Sequence, residues 1–183
     1  MDLFNYENGV ALPSEHAYLV SPYKNILERD ESKSKEYAIR ELTYIELVCS
    51  FKKSNPFSGY SDDIRPFKVA EEVFKNPSYE PDDLIKEGII KYKKFQNEAA
   101  PSLRFYQAVK EATEKLISFF ETVNFNERSK LGVAVYKPSD ITKAVGEATA
   151  VLNNLNTLKE KVQQELYESS KTRGARDIGE FEK

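Results

Sequence analysis

A long run of apolar residues, spaced alternately four and three apart, constrains the fold more than any other feature. The spacing holds over the 26 residues from 141 to 166, with Lys159 as its one polar member. This is a heptad seam, and it predicts one long helix that opens at Pro138. Such a helix either packs inside its own bundle or forms a coiled coil with another chain. The apolar members are Ile141, Val145, Ala148, Leu152, Leu155, Val162 and Leu166.

Shorter helical patterns fill most of the chain before the seam. Ser, Thr, Asp and Asn cap helix starts, and Pro fits the first turn. The expected helices begin at Ser21-Pro22, after Asp30 and Ser32, near Pro66, at Pro81-Asp82-Asp83 and, after a break, at Pro101. Seven Gly and eight Pro are few turn residues for a sandwich or a barrel of this length. We therefore predict an all-α fold, a helical bundle of about five to six helices with a long C-terminal helix and extended N- and C-terminal arms.

Apolar spacing also predicts which helix faces are buried. One stripe joins Ala38, Leu42, Ile45 and Cys49 in a helix that should be well buried. A second face combines Phe67, Ala70, Val73 and Phe74, and a third combines Leu84, Ile85, Ile89, Tyr92 and Phe95.

Three segments lack a helical period. Residues 1–13 are expected to form an N-terminal arm that lies on a neighbouring surface, or else a frayed end. Residues 169–183 are expected to form a C-terminal docking arm, or else a disordered tail. Between these two arms, residues 14–168 are expected to form a helical bundle domain. Residues 131–136 read as a short extended link, or as an edge strand that pairs with another chain. The arm residues expected to make contacts are Leu3, Phe4, Tyr6, Val10 and Leu12, and Arg173, Gly174, Arg176, Ile178, Gly179 and Phe181.

A search for catalytic patterns favours a protein that is not an enzyme. There is no glycine-rich phosphate loop, and the single His16 and single Cys49 have no neighbouring motif. Asp62-Asp63 and Asp82-Asp83 are better explained as charges at helix N-termini than as catalytic pairs. Glu71-Glu72 reads as a solvated face. No cofactor and no metal is expected, although carboxylates that converge only in three dimensions would still allow a helical enzyme.

Charge and hydropathy argue against two classes of partner, nucleic acids and membranes. The net charge of −3 argues against nucleic-acid binding driven by charge. The aromatic Lys-rich stretch at residues 91–95 reads as core side chains flanked by solvated Lys. No run of about 18 apolar residues occurs, and residues 1–7 lack the pattern of a signal peptide, so we expect no membrane contact and a protein assembled in the cytoplasm.

Several aromatic residues lie in predicted connections and arms rather than on the apolar faces of helices. Eleven Tyr and eleven Phe are present, and several fall in connections or arms. Tyr and Phe are enriched at protein interfaces. Because no catalytic cluster competes with this signal, an interaction or assembly role is favoured. The aromatic residues in question are Phe4, Tyr6, Phe57, Tyr60, Tyr79, Tyr136 and Phe181.

Loose motifs at both ends resemble helical virion proteins of tailed bacteriophages, particularly the crAss-like group. The resemblance covers about the first 60 residues and the last dozen. It is carried by Ala17-Tyr18-Leu19-Val20-Ser21-Pro22-Tyr23-Lys24, Glu28-Arg29-Asp30-x-Ser32-Lys33, Tyr37-Ala38, Leu42-x-Tyr44-Ile45, Ser54-Asn55-Pro56-Phe57-Ser58, Arg173-Gly174 and Gly179-Glu180-Phe181-Glu182.

The resemblance implies a structural head-to-tail connector in the virion neck. Such adaptor proteins form a ring, usually a dodecamer, beneath the portal protein. Their C-terminal arm reaches the portal or a neighbouring neck or tail subunit, and DNA passes nearby without specific binding. The alternative is a cytoplasmic helical interaction module or regulator, which would use the same surfaces but be absent from particles.

Overall fold

The structure is a computed structural model that describes residues 3–179, with side chains as far as residue 169. The all-α prediction is confirmed for this part of the chain, which holds six α-helices, one 3₁₀ helix (Ala17–Leu19) and one small sheet. The elements are β1 (Phe4–Glu7), β2 (Val10–Pro13), α1 (Tyr23–Arg29), α2 (Glu36–Cys49), α3 (Arg65–Phe74), α4 (Asp83–Ala99), α5 (Pro101–Thr122) and α6 (Pro138–Gly179).

The chain divides into two compact units. The first unit holds the residues up to Ala100 together with the chain from Gln163 onward, and the second unit is Pro101–Val162. Helix α6 contributes residues to both. The predicted break at Pro101 is confirmed, since α4 ends at Ala99 and Ala100 is extended (φ −131°, ψ 91°).

Helix α2 is the centre of the first unit. It packs against β2, α1, α3 and α4. The predicted stripe is confirmed, because Ala38, Leu42, Ile45 and Cys49 are all buried. The buried set is wider than one stripe and includes polar residues: Ala38, Glu41, Leu42, Thr43, Tyr44, Ile45, Glu46, Leu47 and Cys49.

Two buried polar side chains close the C-terminal end of α2. The amide of Asn55 donates to the carbonyl oxygens of Leu47 and Ser50, both at 2.8 Å. The guanidinium of Arg65 donates to the carbonyl oxygens of Val48 (3.2 Å) and Tyr60 (2.9 Å). The bonds to Leu47, Val48 and Ser50 satisfy carbonyl groups that a helix end leaves without partners, and the bond to Tyr60 ties the following loop to Arg65.

The first residues form a β-hairpin, so the expectation of an irregular N-terminal arm is wrong. Strand β1 pairs antiparallel with β2 from Phe4↔Pro13 to Glu7↔Val10. Asn8 (φ 51°) and Gly9 (φ 84°) make the turn, and two positive φ angles in a two-residue loop match the twist of the strands. The backbone N–H of Ala11 donates to Thr43 Oγ1 of α2 at 2.9 Å.

The hairpin contributes to the core of its own chain. Leu3, Phe4 and Ala11 are buried, whereas Val10 and Leu12 are exposed. The Phe4 ring lies 5.2 Å from that of Tyr23, edge to face, and 5.9 Å from that of Tyr92, stacked. The first strand is therefore an integral part of the first unit.

The predicted helix starts are correct in part. Asp82 is the N-cap of α4 and accepts from Ile85 N at 2.9 Å, as expected. Ser21 does not cap α1, whose N-cap is Pro22. Asp30 precedes α2 by several residues but still caps it, because its carboxylate accepts from the N–H of Ala38 in the first turn of α2 at 3.0 Å. The same carboxylate accepts from the N–H of Ser32 at 3.0 Å.

Two further expectations need correction. Phe67 was assigned to the inner face of α3, but it is exposed, and Val69 is buried instead. Two residues apart on a helix lie nearly on opposite sides, so both cannot face the core. The backbone of α6 is helical as far as Gly179, so residues 169–179 do not form an extended arm, while Phe181 lies outside the described residues.

Truncation of Phe4 tests the structural role of the hairpin. We expect Phe4→Ala to lower the free energy of unfolding by about 3–5 kcal/mol, since a buried aromatic ring leaves a cavity. The matched control is Leu12→Ala on the exposed face of the same hairpin, which should cost well under half as much. Urea unfolding of both variants measures the difference, and equal effects would contradict the placement of Phe4 in the core.

Candidate protein-binding surface

An ion network of three side chains lies at the end of α1. Arg29 pairs with Asp82 and, at 2.7 Å, with Glu41. Glu41 is buried, and its burial raises the pKa of the carboxyl above the ordinary value although Arg29 acts to lower it. The network joins α1, α2 and the N-cap of α4, so its geometry supports a structural role.

An open cavity of about 420 Å³ lies beside this network. Its lining includes Arg29, Asp30, Glu31 and Tyr37. Arg29 is engaged by two carboxylates, and Asp30 by two backbone N–H groups. Two charged groups of the lining thus already have partners within the chain.

Several residues considered for catalysis have other places in the structure. Burial raises the pKa of the Cys49 thiol to about 12, so it behaves as a small core residue, as expected. Glu71 and Glu72 pair with Lys68 (3.0 Å) and Lys75 (3.6 Å) at the surface, which fits the predicted solvated face. Within residues 3–169, no three His, Cys, Asp or Glu side chains are grouped as a metal site would require.

The second unit has a sparse interior. Only Leu103, Tyr106, Thr113 and Val162 of its residues are buried. Eight of its large apolar side chains are between 44% and 90% exposed. They are Phe105, Ile117, Phe119, Leu131, Val133, Val135, Val145 and Leu152.

The heptad seam is split by this arrangement. Val162 and Leu166, at its C-terminal end, are buried, whereas Val145 and Leu152, in its N-terminal half, are exposed. Packing inside the chain thus accounts for the second half of the seam. The first half keeps the apolar surface that an association with another chain would cover.

A short β-ribbon projects from the connection between α5 and α6. Arg128 and Ala134 form an antiparallel bridge. Ser129 N donates to Val133 O, and Gly132 N to Ser129 O, both at 2.8 Å, while Val135 N donates to Glu127 O at 2.9 Å. Gly132 has a φ of 75°, as the last residue of a three-residue hairpin loop requires. The strand-like segment at 131–136 is therefore half of a local ribbon.

An aromatic cluster supports the base of this ribbon. The ring of Tyr136 lies 6.5 Å from that of Phe119 and 5.9 Å from that of Phe125. Phe120 contacts both Phe119 (5.7 Å) and Phe125 (6.3 Å). Tyr136 was expected at an interface because it lies in a connection, but its ring packs within the second unit.

The structure distributes the predicted contact residues unevenly. Of the N-terminal set, Leu3 and Phe4 are buried and Tyr6 is half-buried, which leaves Val10 and Leu12 exposed. Of the C-terminal set, Arg173, Gly174, Arg176, Ile178 and Gly179 follow one another along the helical backbone of α6. The exposed residues of α5 were missed, whereas residues 131–136 were interpreted as an extended link or as an edge strand that pairs with another chain.

Comparison with known proteins gives no relative, since no family model, curated protein or solved structure matches this chain. No helix within the described residues is long and apolar enough to cross a membrane.

The pH dependence of stability tests the role of Asp30. The hydrogen bonds from Ala38 N and Ser32 lower the pKa of Asp30 from 3.8 to about 2. The stabilisation is therefore fully present above pH 3.8 and is lost as the pH falls through about 2. We expect Asp30→Asn to be less stable than the wild type at neutral pH and to approach it near pH 2. Urea unfolding over this range measures the gap, with the exposed Asp63→Asn as control.

Proposed function

We propose that this chain is a structural head-to-tail connector subunit, which assembles as a ring beneath the portal of a tailed bacteriophage. The observation that carries the proposal is the set of eight exposed apolar side chains on the second unit. Only four residues of this unit are buried, so these side chains have little interior of their own, and a contiguous exposed apolar patch marks an interaction site. The resemblance of both chain ends to helical virion proteins favours the phage neck as the place of this assembly.

The energetics favour association through the second unit. Full burial of one Leu, Ile, Val or Phe side chain is worth about 1.5–3 kcal/mol. Association costs roughly 4–15 kcal/mol in lost freedom of motion. Several half-exposed side chains buried together therefore supply much of the free energy that a specific contact needs. A ring requires such a contact to be head-to-tail and to close under rotation.

The two ends of the chain have different parts in this proposal. Leu3 and Phe4 are committed to the core, so a second contact at the N-terminus is limited to Val10 and Leu12 on β2. The C-terminal docking segment remains Arg173 to Phe181, now starting from the helical backbone of α6. Its partner in the proposal is the portal protein or an adjacent neck subunit.

The first experiment is quantitative mass spectrometry of purified particles, scaled to the portal protein. A copy number close to that of the portal is expected for a neck ring. Absence from particles, with the protein left in the infected-cell lysate, would contradict the connector and favour the cytoplasmic interaction module, which would use the same exposed surface.

Truncation of the C-terminal segment tests portal docking. Deletion of residues 171–183 should leave a folded helical protein, because the buried Val162 and Leu166 are retained. We expect the truncated chain to be lost from particles, while its helical circular dichroism and thermal midpoint stay close to those of the full chain. Normal incorporation of the truncated chain would show that the segment is dispensable for docking.

A further inference from the structure

We propose that the ribbon at residues 127–135 is a preformed prong that docks on the exposed face of α3 in a second copy of this chain. The face is formed by Ile64 and Phe67. The inference rests on the proposed function only in that a ring needs one repeated contact between subunits. It assigns that contact to two named surfaces.

The prong exposes apolar side chains at its loop, where Leu131 stands between Lys130 and Gly132, and along its second strand. Leu131 is 90% exposed, and Val133 and Val135 are 61% and 48% exposed. Val133 and Val135 lie two residues apart in an extended segment, so they share a face. Turn tips favour Gly, Asn, Asp and Ser, because these residues suit the backbone and tolerate water. An apolar tip is explained if it enters an apolar surface on another molecule.

The prong is ordered before any partner arrives. Three backbone hydrogen bonds close the ribbon, and the guanidinium of Arg128 donates to Gly132 O at 3.1 Å. Tyr136 fixes its base against Phe119 and Phe125. A loop that is already ordered loses little conformational entropy on binding, and this raises affinity for a given contact area.

Charge identifies the class of surface that the prong fits. Residues 101–162 carry nine Lys and Arg against seven Asp and Glu, whereas residues 1–100 carry fourteen against eighteen. Near the tip, Arg128, Lys130 and Lys137 outnumber Glu127. A basic apolar prong is complementary to an acidic apolar face, and the first unit of a second copy has the opposite charge.

Helix α3 offers such a face. Ile64 is 51% and Phe67 61% exposed. Around them stand four exposed carboxylates, Asp62, Asp63, Glu71 and Glu72. Lys68, Lys75 and Arg65 pair with three of these carboxylates, which leaves a local excess of one negative charge. Ile90 of α4 is equally apolar and 69% exposed, but the Lys at positions 86, 91, 93 and 94 outnumber Glu87 around it, and this positive excess would repel the prong. The charge pattern therefore selects α3.

The two surfaces belong to different parts of the chain, so the contact is head-to-tail when a subunit places its prong on one neighbour and offers its α3 face to another. Each subunit keeps one free prong and one free α3 face after a single contact. A repeated contact of this type forms a ring if the rotation closes. A contact between two prongs would instead give only a two-fold dimer.

Disulfide trapping on the full chain tests this pairing. Leu131→Cys and Phe67→Cys are made as separate variants, since Cys49 is buried and leaves the background silent. We expect the two variants, mixed and oxidised, to yield roughly tenfold more linked dimer than either variant alone, because the contact raises the local thiol concentration. Lys130→Glu added to Leu131→Cys should lower the yield.

Ile90→Cys is the matched control, with similar exposure and Lys neighbours that favour a reactive thiolate. An equal yield with this control, strong self-linking of Leu131→Cys, or no excess in the mixture would each overturn the inference. If particles contain the chain at portal-like copy number and the mixture gives no excess, the prong contact fails while the connector function stands. If the mixture gives excess linked dimer but particles lack the chain, the connector function fails while the prong contact stands.

Discussion

A helix that is buried on most of its sides must find a partner for every charge it carries inward. Helix α2 carries Glu41 and Glu46 into the interior of the first unit, and removing a carboxylate from water is costly unless it is paired. Arg29 reaches Glu41 from α1, and the Tyr92 hydroxyl donates to Glu46 from α4. These two contacts set where α1 and α4 lie against α2, and the remaining elements pack around that arrangement.

The helices were largely predictable, because their period and their caps are local. The stripe of α2, the cap at Asp82 and the break at Pro101 all follow from residues within one or two turns. The hairpin was missed although its signal was present, since Asn8-Gly9 is a strong sequence for a tight turn. The apolar pattern of β2 is misleading, because its large residues Val10 and Leu12 are exposed, whereas the small Ala11 between them is buried.

The candidate surface was less predictable for a physical reason. A heptad seam specifies that a helix will bury one face, but the partner that covers the face is not a local property. The sequence therefore left open whether the seam packs inside the chain, and the structure divides it, with Val162 and Leu166 covered and Val145 and Leu152 exposed. Phe67 belongs to the same class, because its spacing from Ala70 suited an inner face that Val69 occupies instead.

The stacking of Phe4 on Tyr92 has a consequence for synthesis on the ribosome. Phe4 emerges early, but one of its two ring partners lies 88 positions later in the chain, in α4. The hairpin can form by itself, since its pairing is local, and Tyr23 and α2 emerge soon after it, yet the contact with Tyr92 cannot form until α4 has left the exit tunnel. Closure of this distant contact makes the first unit a late-completing element of the nascent chain. Slower elongation through residues 83–99 would lengthen the time during which Phe4 lacks its second ring partner.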